Sequence, residues 1–320
     1  MGWYLSALPI GFLLDLLFGD PKGIVHPVVL IGKLIDFLEK LFRKIFPKTK
    51  TGENIAGLAV WIVTVGLTGV ISVGFTALCY KVHPALGMTV EGIMCWQILA
   101  VKSLKAESMK VYDALEGGSI EDARRAVSMI VGRDTAELDD SAVTRAAVET
   151  VAENTSDGIV APMLFMALFG AAGGFVYKAV NTMDSMLGYI EEPYKNVGLV
   201  PARMDDVFNF LPARLSAFFM LFSGLLLGMD AGRGFKIFKR DRYNHASPNS
   251  AQTESVCAGL LGLRLAGDAY YHGVLHKKKY IGDATRETEH EDIKRACRLM
   301  YATSFVALLF SITLRFIILG

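Results

Sequence analysis

Six stretches of the chain are markedly more apolar than their surroundings. The strongest is Ile55 to Tyr80, "IAGLAVWIVTVGLTGVISVGFTALCY", which holds no charge before Lys81. It exceeds the roughly 20 residues a helix needs to cross the hydrocarbon. Leu299 to Leu319 is nearly as good, with Arg315 near one end where it is expected to snorkel. Trp3 to Phe18, Ile159 to Val180 and Leu215 to Met229 are weaker, and Leu86 to Val101 is marginal because it carries Glu91. Between them lie two polar blocks, Lys102 to Asp157 and Asp230 to Arg298. The first is helix-patterned, with Ser119 as a candidate N-cap and Asp122 three residues on. The pattern predicts an all-α, polytopic membrane protein: one domain over 1–320 with about four to six embedded segments, some of them re-entrant.

Composition agrees. The chain has 320 residues, 52% of them hydrophobic, and a mean hydropathy of +0.38. A net charge of +1 argues against nucleic acid as a partner. The four cysteines, Cys79, Cys95, Cys257 and Cys297, show no CxxC spacing and read as reduced packing residues. The N-terminus lacks a basic region and a small-residue cleavage site and contains Asp15, so it reads as a retained membrane segment.

Basic residues set the expected orientation. Lys33, Lys40, Arg43, Lys44, Lys48 and Lys50 follow the first apolar segment, and Lys236, Lys239, Arg240 and Arg242 follow the fifth. Both groups should face the cytoplasm. Placing Ile159–Val180 and Leu215–Met229 as single crossings would put the polar residues between them outside. The glycines of "FGAAGGF", Phe169 to Phe175, offer a way out by splitting that run into two half-helices that enter and return.

Four polar clusters could carry chemistry. "ETVAENTSDGIVAP" reads as a helix end abutting the membrane, with Arg145, Glu149 and Glu153 on one face and Asn154 and Asp157 at the exit. A salt-bridged surface face closed by a Gly158 cap is its plain alternative. "YKAVNTMDSMLGY" places Lys178, Asn181 and Asp184 along one flank. In "RMDDVFNFLPARL", Asp205 or Asp206 pairs by spacing with Asn209, Pro212 is expected to break the chain, and Arg214 follows. Carboxylates and amides suit magnesium, and the neighbouring cations suit phosphate. "GDPKGIVHPV" reads as a loop in which His26 lies near Asp15 and Asp20. Two further stretches read as ordinary structure: "NHASPNSAQTES", containing His245, Asn249 and Glu254, as an N-capped helix start, and His272 with His276 as a pair lacking a third metal ligand. P-loop, nucleophile-elbow and dinucleotide motifs are absent from the sequence.

Taken in order, "GDP....HPV", "VGRDT", "AAVETVAENTSDGIVAP", "YKAVNTMDSMLGY", "RMDDVFNFLPARL" and "SPNS" resemble the adenosylcobinamide-phosphate synthase family of cobalamin biosynthesis (CbiB/CobD type) over almost the whole chain. In the family an aromatic residue and a proline precede the acid that matches Glu254; this chain reads "SAQTES" there. The resemblance implies a multi-pass cell-membrane enzyme that joins adenosylcobyric acid to (R)-1-amino-2-propanol, or its O-phosphate, as an amide. It implies ATP as co-substrate, magnesium, an active site on the cytoplasmic face, and association with other late cobalamin-pathway membrane enzymes. On that reading Glu153, Asp157, Asp184 and His26 are the acid–base candidates, and Asp184, Asp205 and Asp206 the metal candidates. Asn154, Lys178, Asn181, Asn209, Arg214, Arg133 and Asn249 are the candidates for binding substrate and phosphate. Glu153 and Asp157 would then lie near Asp184 and Asp205 or Asp206. A transporter or channel is the competing class, disfavoured by the missing repeat and the large polar blocks; a non-catalytic scaffold for corrinoid enzymes is the third.

Overall fold

The computed structural model describes residues 3–20, 23, 26–189, 191–271 and 273–319. In chain order the helices are α1 (Trp3–Phe18), α2 (Pro27–Ile45), α3 (Lys50–Val82), α4 (Pro84–Trp96), α5 (Val101–Gly117), α6 (Ile120–Ser128) and α7 (Asp140–Asn154). A π-helical turn, Thr155–Val160, leads into α8 (Ala161–Leu187), followed by α9 (Leu199–Leu226), α10 (Ala231–Asp241) and α11 (Ser250–Leu261). Four short strands, β1 (Arg264–Ala266), β2 (Ala269–Tyr271), β3 (Val274–His276) and β4 (Tyr280–Gly282), precede α12 (Glu291–Leu319). Five helical stretches are long and apolar enough to cross a membrane: Lys50–Val82, Pro84–Gly117, Asp140–Leu187, Leu199–Leu226 and Glu291–Ile318. The protein is an all-α, multi-pass membrane protein, with the strands as a minor insertion that the apolar pattern did not reveal.

The chain divides into two compact units. The first comprises residues 1–100, 161–209 and 310–320. Its helices are sorted by side-chain size. On α3 the buried stripe is Ala56, Gly57, Val60, Thr64, Thr68 and Ser72, while Val70, Ile71, Val73, Phe75 and Leu78 are exposed. That is the expected arrangement in lipid: bulky apolar groups lose nothing by facing the acyl chains, and small residues let helices approach. Gly11 shows the same logic between α1 and α4, where an added Cβ would come within 2.4 Å of the Cys95 Cβ.

Helix α8 leaves helical geometry at Gly170 (φ 66°, ψ −169°), so the break falls inside the glycine run that predicted it. Arg315 does not snorkel. It is 6% exposed, donates to the Met166 carbonyl at 2.6 Å, and pairs with buried Glu91 at 3.5 Å. Tyr80 donates to the second Glu91 oxygen at 2.7 Å. The charge that made the third segment, Leu86 to Val101, marginal is therefore neutralised inside the first unit. A buried partner and a freed carbonyl hold Arg315 more effectively than distant water.

The second unit comprises residues 101–160 and 210–309. At its start the predicted capping box is present: the Asp122 N–H donates to Ser119 Oγ at 3.2 Å, and the Ser119 N–H to Asp122 at 3.4 Å. Every residue of α11 is buried, and α10, α7, β1 and β4 contact it. The strands form two nested antiparallel pairs, β1 with β4 (Leu265 opposite Ile281) and β2 with β3 (Tyr270 opposite Leu275). The four cysteines are free and buried, as their spacing implied.

Two expected chain breaks are absent. "ETVAENTSDGIVAP" is not a helix end capped by Gly158: α7 passes through the π-turn into α8, and Gly158 lies buried within that turn. A π-turn satisfies its backbone through i→i+5 bonds and needs no cap; such turns are frequent at functional sites. Pro212 does not break the chain either. Helix α9 runs from Leu199 through Pro212 to Leu226 and begins well before the expected Leu215. Proline removes one N–H, and the remaining ladder with its buried neighbours carries the helix across.

Candidate functional site

The second unit contains a polar cavity of about 120 Å³. One wall is α7, contributing Glu149, Glu153 and Asn154; Arg133 enters from the loop after α6. His245 and Glu254 come from the turn before α11 and from α11 itself. Ala266, Tyr271 and Lys278 come from the strand insertion.

Glu149 organises this wall. Its Oε2 is ion-paired to Arg133 Nη2, and its Oε1 accepts the Ala266 N–H at 2.7 Å. The Glu149–Arg145 ion pair of the plain alternative is absent; Arg145 donates to Ser141 one turn earlier. Ala266 has φ 57°, unusual for a residue with a Cβ, and the Glu149 hydrogen bond holds it there. Lys278 donates to the Tyr271 hydroxyl at 2.6 Å. His245 accepts the Ser247 N–H through Nδ1 at 3.1 Å, which leaves Nε2 as its second polar atom. Asn154 donates to the Thr150 carbonyl at 3.0 Å.

Glu254 sits deepest, 4% exposed, with Oε2 buried and lacking a hydrogen-bond partner. Burial, reinforced by Glu153 and Glu149, pushes its carboxyl well above the ordinary carboxylate range; Arg133 and Lys278 oppose the shift without cancelling it. Burial lowers the His245 imidazole, with Lys278 acting in the same direction and Glu153 and Glu149 against. The cavity therefore juxtaposes a carboxyl that holds its proton more tightly than usual, an imidazole less basic than usual, and two cations.

The first unit holds a polar chain on α8 and α9. Tyr177 donates to Asn209 Oδ1 at 2.7 Å, and Asn209 donates to Asp205 Oδ2 at 3.0 Å. Asn181 donates to Asp205 Oδ1 at 3.4 Å. Asp205, Asn209 and Asn181 are thus brought together, with the i, i+4 contact from Asp205 to Asn209 as spaced. Lys178 and Asp184 share α8 with Asn181, and Asp206 follows Asp205 on α9. Among the described residues no three His, Cys, Asp or Glu side chains form a group that could hold a metal ion.

The remaining candidates have structural partners. His26 N-caps α2, its Nδ1 accepting the Val28 N–H at 3.3 Å, and its Nε2 lies 3.9 Å from Asp20; burial lowers its imidazole below the usual value. Asn249 occupies the N-cap position of α11 but makes no cap bond. Its Oδ1 accepts from Arg214 at 3.0 Å, and that guanidinium stacks over Phe210. Asp157 lies within the π-turn. His272 falls outside the described residues, and His276 packs edge-on against Tyr271.

Sequence reasoning found Glu153, Asn154 and Arg133 but read His245 and Glu254 as part of a helix start, and did not single out Lys278 or Tyr271. One signal was available. Glu254 is the one charged residue in "SAQTESVCAGLL", which sets it apart within that stretch.

A family model described as CobD/Cbib protein matches residues 8–300. The chain belongs to the CobD/Cbib family. Cobalamin biosynthesis protein CobD of Clostridium perfringens (strain 13 / Type A) is 46% identical over 309 residues, 97% of each chain. Cobalamin biosynthesis protein CobD of Pelobacter propionicus is 44% identical over 309 residues, 96% of this chain and 94% of the relative. Cobalamin biosynthesis protein CbiB of Salmonella typhimurium is 44% identical over 306 residues, 96% of each. No solved structure matches this CobD/Cbib chain.

Proposed function

We propose that this CobD/Cbib chain acts in cobalamin biosynthesis as an ATP-dependent ligase, joining adenosylcobyric acid to (R)-1-amino-2-propanol or its O-phosphate. The observation that carries the reading is the cavity around Glu254, where acids, cations and an imidazole less basic than usual meet in a partly dehydrated space. Amide formation from a carboxylate needs an activated acyl group, because hydroxide leaves poorly. Transfer of a phosphoryl or adenylyl group from ATP to the propionate oxygen supplies a better leaving group. The amine nitrogen then attacks the acyl carbon, its proton passes to a base, and phosphate or AMP departs. Donors must stabilise the tetrahedral oxyanion, and cations the phosphates. Within the cavity Lys278 has the charge to hold a phosphate ester, and Glu153, His245 and Glu254 the chemistry for proton transfer.

Magnesium would enter with the nucleotide. A cage built from protein alone does not fit, because no three ligating side chains converge among the described residues. An ion bound chiefly by phosphate oxygens needs only one or two carboxylates. Asp205 is suited to that task, being buried and already oriented by two amides; Asp206 follows it in sequence, and Asp184 lies on α8. The ion's contribution would be to neutralise phosphate charge.

The Glu91–Arg315 pair gives the transporter reading little support, since both side chains are engaged by α8 backbone groups. The test is direct. Detergent-purified protein given ATP, magnesium, adenosylcobyric acid and aminopropanol phosphate should yield the amide and one nucleotide product per amide. Corrinoid binding without amide formation would leave a scaffold, not a ligase.

A further inference from the structure

We propose that the cavity of the second unit is the amine site: Glu254 and Glu153 receive the substrate's ammonium group, and Lys278 faces its phosphate. This rests on the ligase reading above and assigns one of its three substrates to one place.

Three observations carry it. The first is charge. Glu149 is committed, with one oxygen on Arg133 and the other on the Ala266 N–H. Arg133 is thereby balanced, and Glu153 and Glu254 face Lys278. Burial and the surplus of acids make Glu254 hold its proton tightly, and an arriving cation can take that proton's place. The second is the unpartnered Glu254 Oε2, buried on an almost wholly buried residue. A buried acceptor without a donor is costly, and a primary ammonium brings three donors. A metal ion is the weaker occupant, because the acids here do not form a metal-ligating group among the described residues. The third is size. A space of about 120 Å³ is close to one that holds a benzene ring. It admits the three-carbon amine end of the ligand, and a corrin macrocycle with its side chains is too broad for it.

The placement also solves a chemical problem. A primary ammonium in water loses its proton only near pH 10, yet the attacking nitrogen must be neutral. When Glu254 is ionised beside the ammonium, one proton moves from nitrogen to Oε2, giving a neutral amine and a carboxylic acid. A low-dielectric site favours that uncharged pair over the ion pair. The same burial that raises the Glu254 carboxyl thus makes it an acceptor for this proton.

The test uses the full chain in detergent and isothermal titration with (R)-1-amino-2-propanol O-phosphate alone. Propane-1,2-diol 2-phosphate, which has a hydroxyl in place of the amine and keeps the phosphate on the same carbon, is the control ligand. Wild type should prefer the amine about tenfold to a hundredfold, the range of a charge-assisted hydrogen bond. Glu254→Gln should erase that preference while leaving ATP affinity unchanged. Should Glu254→Gln not fold, Lys278→Ala serves instead. It should weaken the phosphate ester about tenfold and leave unphosphorylated aminopropanol unaffected. Equal affinity of wild type for the two ligands, or an unchanged preference in Glu254→Gln, overturns the site. So does equal weakening of both amines in Lys278→Ala. Amide formation with an unmoved amine KM in Glu254→Gln would sink the site and keep the ligase. Selective amine binding without amide formation would do the reverse.

Discussion

Arg315 and Glu91 meet at 3.5 Å beside the Gly170 break, and each satisfies a backbone group that the break sets free. In an unbroken helix the Met166 carbonyl would accept the Gly170 N–H, and the Ala171 N–H would go to Ala167. Here Arg315 donates to Met166 at 2.6 Å, and Ala171 donates to Glu91 at 3.2 Å. The ion pair thus caps both sides of a helix discontinuity where the hydrocarbon offers no water to do so.

Removing one partner should therefore be worse than removing both. Arg315→Ala leaves Glu91 charged and buried and orphans the Met166 carbonyl, an expected loss of about 3–5 kcal/mol. The pair Glu91→Leu with Arg315→Met removes both charges and should lose less. Thermal melting of the three proteins in one detergent checks the order. Equal losses in Arg315→Ala and the double variant would mean the charges are not coupled.

Gly170 should tolerate no side chain. Its φ and ψ lie where only glycine is comfortable, and an added Cβ would stand 2.6 Å from Glu91 Oε1. Gly170→Ala combines backbone strain of about 1–3 kcal/mol with displacement of the carboxylate that caps Ala171. Gly66→Ala on α3, whose added Cβ meets nothing within 4 Å, is the matched control. A melting temperature in Gly170→Ala as high as in that control would contradict the account.

Glu254 makes stability depend on pH in a definite direction. Its folded carboxyl lies well above the unfolded value, chiefly through burial. The folded state therefore holds a proton that the unfolded chain has released. That stabilising contribution is complete below the ordinary carboxylate range and is lost as pH rises through the raised folded value. Glu254→Gln cannot ionise, so it should flatten the decline. Melting temperatures from pH 5 to 9 provide the measurement; parallel curves for the two proteins would count against a buried, protonated Glu254.

What could be read from the sequence follows from how far each feature reaches along the chain. The long apolar runs, the Ser119–Asp122 capping box, the Asp205–Asn209 spacing and the break in "FGAAGGF" are local, and each is present. Strands of three residues are too short for a period-two pattern to register. Arg133, Glu149, Glu254 and Lys278 come from four separate segments, and no periodicity links them. Helical spacing paired Glu149 with Arg145, but a loop arginine took it. Arg315 looked like a snorkelling residue because its partner, Glu91, is more than two hundred positions away in the chain. The helix end expected at "ETVAENTSDGIVAP" and the break expected at Pro212 are both bridged, because buried neighbours carry the helix onward.

The Asp205 cluster allows a structural role to be separated from a chemical one. Tyr177 is fully buried, and its hydroxyl supports Asn209, which in turn supports Asp205. Tyr177→Phe leaves Asn209 Oδ1 without its donor, an expected stability loss of about 1–3 kcal/mol. It leaves the Asp205 carboxylate in place, so the magnesium dependence of amide formation should stay close to wild type. Asp205→Asn keeps the shape but loses the charge, and its amide nitrogen would confront the amide donor of Asn181 or Asn209. If Asp205 meets magnesium on the nucleotide, Asp205→Asn should raise the magnesium concentration for half-maximal amide formation tenfold or more, about the loss of one charge-assisted contact. Magnesium titrations of the two variants at saturating ATP give the answer. A shift of equal size in both would assign Asp205 to packing alone; a shift confined to Asp205→Asn would assign its carboxylate to the metal.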